Sequence, residues 1–442
     1  MKRLLCVTPA FPPNNAADCH RVRMALPYLH ENGWEAEVLA IRPERVEAVQ
    51  EPELLRTIPE GVRVHRVPAL PQRLTRLVGI SSLGLRAGGQ LRREGTRLLQ
   101  ERKFDAVYFS STVFSTFPMG IIWKKRFGVP FFIDYQDPWW SSYHVGRGQK
   151  PPGGWLKHGL VQWSARRQEG RVVREAAGVT CVSPAYGEML RSRYPETNPA
   201  KFLELPFGAP EKDFEVAGGP SSDQARTRSA EEPRGAEQGK EIWRYIGRGG
   251  PDMEAALRIF AGVLADARPR PFRLELAGTS YASGAAAERT MAPVLEESLP
   301  AGTVTESPGR IGYLESLRKL QEAQRLVLFG SDDPQYTASK LYNYILARRP
   351  LLVICREESS VARIVRETKS AELITFSNAE MGDGRWKMGG EKVKPEWREA
   401  MGRWLEMGAT KKPGTDWRAF EKYTAKEMTK KLCWLFEEAL RS

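Results

Sequence analysis

The chain is poor in the residues that build metal and redox centres. Its 442 residues include only five cysteines and five histidines. Cys6, Cys19, Cys181, Cys355 and Cys433 form no C-x-x-C pair and no zinc spacing, and an odd, dispersed set suits a reducing compartment. His20, His30, His65, His144 and His158 make no H-x-x-x-H pair, so no metal site built by the protein is expected. Nowhere is there a run of about 18 apolar residues, so no spanning helix is expected. The opening MKRLLCVTPAFPPNN starts like a targeting segment, but Pro9, Pro12 and Pro13 stop its short apolar run, and it reads as a buried first strand. Zinc fingers, RNA-binding signatures and lysine-rich runs are also missing, which argues against nucleic acid as the partner.

What is present is ordinary globular composition, 41% hydrophobic and 27% charged, in a chain long enough for two or three domains. The net charge of +13 leaves an anionic membrane face, a phosphorylated substrate, or simply a basic surface. A cytoplasmic location is expected, with at most peripheral contact at the inner face of a membrane. The stretch from Arg73 to Lys103, basic and interrupted by Leu, Val and Ile, could lie on an anionic leaflet, although a solvated helix pair is the plainer reading.

Strand-like and helix-like patterns alternate along the first half. Leu4–Val7, Glu35–Leu39, Ala106–Phe109, Pro130–Ile133 and Gly178–Val182 read as strands, and Arg21 to Glu31 as a helix that Pro27 could kink. Residues 216–240 are rich in Gly, Ser, Pro and mixed charge with almost no apolar content, a linker rather than a folded element. A second alternating set follows, with strands at Ile242–Gly247, Phe272–Gly278, Leu326–Phe329 and Leu351–Ile354 and helices over Met253–Ala267 and Lys340–Ala347. Trp417 to Leu440 reads as one long amphipathic helix. The spacing predicts two doubly wound parallel sheets, residues 1–215 and 241–415, with the active site in the cleft between them.

Two constellations carry chemistry. In Tyr245-Ile246-Gly247-Arg248-Gly249-Gly250 a strand runs into a glycine turn before a helix, where backbone amides and Arg248 could hold phosphate; a purely structural turn reads as well. In the second, a strand ending at Phe329-Gly330 leads through a polar loop to Ser339-Lys340, which opens a helix containing Asn343. A lysine in a first helical turn opposes the helix dipole, and an anionic ligand would explain it. In the first half, Asp137 follows a buried strand and could orient or deprotonate an acceptor hydroxyl, with Trp139 and Trp140 stacking on sugar rings. Equally, Asp137 could cap the next segment and the tryptophans could be core. Glu358, Ser359 and Ser360 sit in a loop after another strand, where Ser359 also reads as a helix N-cap.

These blocks resemble the GT-B enzymes of the glycosyl transferase group 1 superfamily. Gly247-Arg248 is similar to that family's glycine-arginine turn, and Leu276-Ala277-Gly278-Thr279 to its next strand with terminal glycine. Gly309–Leu317 is similar to G-x-V-x-x-x-E-L, and Ser339–Pro350 to K-x-x-E-x-x-A-x-x-x-P. Asp134-Tyr135-Gln136-Asp137-Pro138-Trp139 resembles D-x-R-D-x-W, while Val182-Ser183-Pro184 and Leu205-Pro206-Phe207-Gly208 resemble two further elements. The likeness spans nearly the whole chain. It implies an α/β GT-B fold, two Rossmann-like domains facing each other across a cleft, with a terminal helix packing back on the first.

The resemblance also implies a nucleoside-diphosphate sugar as co-substrate, no other cofactor and no metal, and a glycan, lipid-linked or small-molecule hydroxyl as acceptor. The donor would be held by Gly247, Arg248, Gly249, Gly278, Thr279, Arg310, Ile311, Tyr336, Ser339, Lys340, Asn343, Glu358, Ser359 and Ser360. The acceptor would meet Arg21, Trp139 and Trp140, and the chemistry would fall to Asp137, Arg248 and Lys340. Two departures mark a divergent branch: Gln335 and Asn343 stand where the family has a pair of glutamates, and Asn14-Asn15-Ala16-Ala17 where it has paired glycines. Another GT-B activity, such as a sugar-nucleotide epimerase, or a protein that binds nucleotide sugar without turnover, would carry much of the same pattern.

Overall fold

Strands form where the sequence alternates or is continuously apolar. The computed structural model describes residues 1–77, 82–140, 155–218, 239–267, 269–280, 287–332, 340–377, 393–408 and 413–441. Seven strands build the first sheet: β1 (Lys2–Val7), β2 (Trp34–Ile41), β3 (Arg63–Val67), β4 (Ala106–Ser110), β5 (Phe131–Tyr135), β6 (Gly178–Cys181) and β7 (Phe202–Glu204). Their order is β3-β2-β1-β4-β5-β6-β7, parallel throughout. Six strands build the second: β8 (Glu241–Ile246), β9 (Phe272–Ala277), β10 (Val304–Ser307), β11 (Arg325–Phe329), β12 (Leu351–Arg356) and β13 (Glu372–Phe376). They run β10-β9-β8-β11-β12-β13, again all parallel. Both orders reverse beside the first strand, the switch point where open α/β sheets bind ligands at their carboxyl edge.

The chain divides into two units, residues 1–208 with 425–442, and residues 209–424. Helices of the first unit are α1 (His20–Leu29), α2 (Gln72–Leu77), α3 (Leu83–Glu101), α4 (Pro118–Phe127), α5 (Trp155–Glu175) and α6 (Pro184–Arg193). In the second lie α7 (Glu211–Val216), α8 (Glu254–Ala267), α9 (Tyr313–Glu322), α10 (Leu341–Leu346), α11 (Ser360–Thr368) and α12 (Pro395–Glu406). The terminal helix α13 (Ala425–Arg441) belongs to the first unit. Its Phe436 ring sits edge-on to Trp34, Tyr108 and Phe132, with centroids 5.3, 5.5 and 4.7 Å away. The boundary therefore falls at 208 rather than 215, and α7 joins the second unit. Of the expected linker, residues 219–238 lie outside the described residues.

The helix expected from Arg21 forms as α1, with Pro27 inside it and its end at Leu29. One helix expectation needs correction. The single helix expected over Trp417–Leu440 is two. A short helix, Trp417–Phe420, and a turn end at Thr424, whose extended backbone (φ −75°, ψ 156°) breaks the run before α13. The Thr424 hydroxyl donates to Glu421 O at 2.8 Å, the local bond that competes with helix continuation. No helix among the described residues is long and apolar enough to cross a membrane.

Candidate active site

At the carboxyl edge of the second sheet, β8 ends at Ile246 and the chain turns through Gly247–Gly250 before α8. The turn is pinned from three sides. Gly247 N donates to Ala277 O at 3.0 Å and Gly249 N to Thr279 O at 2.7 Å. The Tyr245 hydroxyl donates to Arg248 O at 2.6 Å. From α10, the Tyr344 hydroxyl accepts from Ile246 N at 2.7 Å and donates to Ile246 O at 3.1 Å. Arg248 then makes a bidentate pair with Asp252, at 2.9 and 2.5 Å. Burial opposes ionisation of Asp252, but hydrogen bonds from Arg248 and Ser331 hold its carboxyl below the usual range. Asp332 N donates to Asp252 O at 2.8 Å, so the loop after β11 is tied to the same turn.

Lys340, just before α10, reaches into this place. A Cβ added to Gly247 would lie only 3.2 Å from its Nζ. Burial, and then the charge of Arg248, lower the Lys340 pKa from 10.5 to about 8. Among the described residues no carboxylate pairs with Lys340. A desolvated cation beside a second cation, where the one acid, Asp252, pairs with Arg248, is a site short of negative charge.

The remaining expected donor residues divide. Gly278, in the left-handed region at φ +68°, closes β9, and Ile311 packs beside it, 3.9 Å from where its Cβ would fall. Thr279 is buried and donates to Glu306 at 2.5 Å, which also accepts the amides of Thr290, Met291 and Ala292, so its hydroxyl is used in the fold. Arg310 and Glu358 are exposed, Glu358 lying 3.6 Å from buried Arg356. Asn343 is half-buried in the first turn of α10. Ser359 is the N-cap of α11, accepting from Ala362 N at 3.1 Å, and the Ser360 hydroxyl is enclosed without a partner among the described residues. Tyr336 and Ser339 lie outside the described residues, as does Gln335.

Gly330 shows how tightly this edge is built. A Cβ there would fall 2.7 Å from Cys355 Cβ and 3.0 Å from its Cα. Gly330→Ala must therefore push β11 from β12, and should destabilise the protein by about 1–3 kcal/mol. An unchanged urea midpoint would contradict this close approach.

In the first unit the structure separates the expected acceptor residues. Asp137 is exposed just past β5, and partial desolvation and then the nearby Asp18 carboxylate raise its pKa. Asp18, a residue that no sequence pattern singled out, is buried and accepts from Ser111 Oγ at 2.9 Å and Thr112 N at 3.1 Å. Tyr186 feels Asp137 as well: burial and then that charge raise its pKa. Arg21, expected at the acceptor, is instead wholly buried. Its guanidinium donates to Asp134 at 3.1 Å, to Pro206 O at 2.8 Å and to Leu205 O. Trp139 stacks on Phe114 with centroids 5.6 Å apart. Trp140 donates to the buried Glu169 at 2.7 Å and lies under the guanidiniums of Arg193 and Arg166, at 3.6 and 4.4 Å. The rings that were to stack on sugars are thus occupied by protein, because Glu169 also gathers Tyr135, Tyr194 and Arg193 around Trp140.

Comparison with known proteins bears on the fold that carries these residues. Residues 20–206 match the glycosyl transferase 4-like domain. No curated protein matches the chain. Similar solved structures include the Candida albicans trehalose-6-phosphate phosphatase N-terminal domain, at 12% identity and TM-score 0.58, covering 99% of this chain and 97% of that one. Sucrose-phosphate synthase from Thermosynechococcus elongatus matches at 13% identity and TM-score 0.52, covering 99% of each chain. Trehalose-6-phosphate from E. coli bound with UDP-2-fluoro glucose matches at 10% identity and TM-score 0.55, covering 100% of this chain and 99% of that one. At such identities the structural likeness establishes the fold alone, and the domain match concerns residues 20–206. Residues 20–206 thus carry a glycosyl transferase 4-like domain, in a chain whose two parallel α/β sheets follow the GT-B fold of these neighbours.

Proposed function

We propose that the chain is a glycosyltransferase that moves a sugar from a nucleoside-diphosphate sugar to an acceptor hydroxyl on a glycan, a lipid-linked intermediate or a small molecule. The observation that carries the reading is Lys340, a desolvated cation beside Arg248 with no carboxylate of its own among the described residues. A diphosphate supplies the missing charge, and the same two cations stabilise the charge that grows on the leaving diphosphate. Arg248 and Lys340 do this without calling on a metal. The E. coli neighbour is bound with UDP-2-fluoro glucose, a ligand of the same chemical class. Retention of anomeric configuration follows from the family resemblance. Asp137, with its raised pKa, is the group proposed to orient or deprotonate the acceptor hydroxyl.

A thermal-shift screen against nucleotide sugars and free nucleoside diphosphates tests the reading. A ligand at a hundred times its Kd adds about 2.7 kcal/mol of stability, a rise of several degrees. If no nucleotide raises the Tm, the donor site is misassigned. Product analysis with a labelled donor then separates transfer from epimerisation, and from binding without turnover.

A further inference from the structure

Arg248 already holds an anion that belongs to the chain. Its guanidinium meets the Asp252 carboxylate end to end, Nη1 on Oδ1 at 2.9 Å and Nη2 on Oδ2 at 2.5 Å. A guanidinium grips a phosphate in the same two-point way. The carboxylate is fixed in this place. Buried Ser331, two residues past β11, hydrogen-bonds to it, and Asp332 N donates to Asp252 O at 2.8 Å. A Cβ on Gly250 would fall 2.7 Å from Asp252 Oδ1 and 3.4 Å from Arg248 Nη1. Glycine there leaves the room in which the two side chains close on each other. Neither lies open to solvent, with side chains 22% and 28% exposed.

The charges decide what this pair does to a ligand. Asp252 cancels Arg248, and Lys340 remains without a carboxylate among the described residues. A diphosphate that takes Arg248 must share it with, or draw it from, a carboxylate tethered four residues away. Either way two anions are set against each other in a partly desolvated place, which weakens binding.

We propose that Asp252 is a built-in competitor for the diphosphate at Arg248, and that it limits how tightly the site holds a nucleoside diphosphate. The inference rests on the glycosyltransferase reading, and in that reading it has a use. When the bond from the anomeric carbon to the diphosphate oxygen breaks, its electron pair stays on that oxygen. The acceptor oxygen bonds to the carbon, and the acceptor proton passes to a base. The departing nucleoside diphosphate therefore carries one more negative charge than the donor, and two cations hold it more tightly. Asp252, pairing again with Arg248, offsets that gain and lets the product leave.

The test is calorimetric titration of the full chain with UDP, ADP, GDP and inorganic pyrophosphate at pH 7, where Lys340 is charged. Asp252→Asn keeps the shape of the side chain and removes its charge. It is expected to bind whichever diphosphate the wild type binds about tenfold more tightly. Asp252→Glu retains the charge and should stay within about threefold of wild type. Urea unfolding checks that each variant is folded, and Asp252→Ser serves as a second neutral variant should the asparagine protein fail to fold. The direction is decisive, because losing a bond that only braced the turn does not tighten a ligand. Unchanged or weaker binding by a folded neutral variant would overturn the proposal and leave Asp252 as a brace. Equal tightening in Asp252→Glu would overturn it too, since charge would not be the cause. Failure of the donor reading looks different: neither wild type nor any variant binds a diphosphate, and the competitor falls with it.

Discussion

Lys340→Met is expected to lower donor turnover by about 100- to 1,000-fold while making the folded protein more stable. The first effect is the loss of one preorganised charge where the leaving diphosphate develops its own. The second follows from the sign of the pKa shift. Burial and Arg248 bring the ammonium from 10.5 to about 8, so folding disfavours its charged form. Below pH 8 both folded and unfolded chains hold the proton and the cost is fully present, on the order of 2–3 kcal/mol. Between pH 8 and 10.5 the unfolded chain binds a proton that the folded one has released, so wild-type stability rises with pH across that window. Methionine fills similar space without the charge and removes both the cost and its pH dependence. Diphosphate affinity should behave in the opposite sense. A bound anion keeps the ammonium charged, so affinity holds below pH 8 and weakens about tenfold per pH unit above it. Calorimetric titration of nucleoside diphosphate at two pH values, with urea unfolding of both proteins, reads all of this. A variant that keeps turnover within about threefold of wild type, or that is markedly less stable, would make Lys340 a structural residue.

How far the sequence reaches is visible in which elements it reveals. Strands in the interior of each sheet, such as β4, β11 and β12, are buried on both faces and read as continuous apolar runs. The four strands that sequence reasoning passes over, β3, β7, β10 and β13, are the four edges. They are short or partly exposed, and Arg63, His65 and Arg66 break the apolar signal of β3. The cationic turn was legible because Gly247, Arg248 and Lys340, which the fold brings together, sit in local patterns with a backbone reason. Asp252 was within reach, four residues after Arg248. Asp18 was not: its role comes from Ser111, Thr112 and Asp137, all more than 90 residues away, and no periodicity encodes that. The acceptor side misled for the same reason. Arg21, Trp139 and Trp140 have the residue types of a sugar site, and only long-range partners such as Glu169 and Asp134 show that the fold itself uses them.

Arg21 supplies the second large effect, and it separates the two uses of a buried arginine. Its guanidinium and the Asp134 carboxylate are both wholly buried. Asp134 also accepts from Ser110 at 3.0 Å, Gln136 at 2.7 Å and Thr180 at 2.8 Å, which stitches β4, β5 and β6 together. Arg21 in turn lies over the Phe207 ring at 4.5 Å and donates to Met428 Sδ at 2.9 Å, joining α1 and α13 to the sheet. Arg21→Met leaves a carboxylate in the core without its cation and should cost about 3–5 kcal/mol. Replacing the whole pair, Arg21→Met/Asp134→Leu, removes the stranded charge and should recover part of that loss, since buried pairs often exchange for apolar groups at little cost. The comparison of the two variants in urea unfolding is therefore the measurement. An acceptor-binding arginine would give the reverse pattern: little change in the unfolding midpoint, a raised KM for the acceptor, and nothing recovered by the second substitution. The geometry, with every described partner of Arg21 inside one folded unit, favours the first outcome.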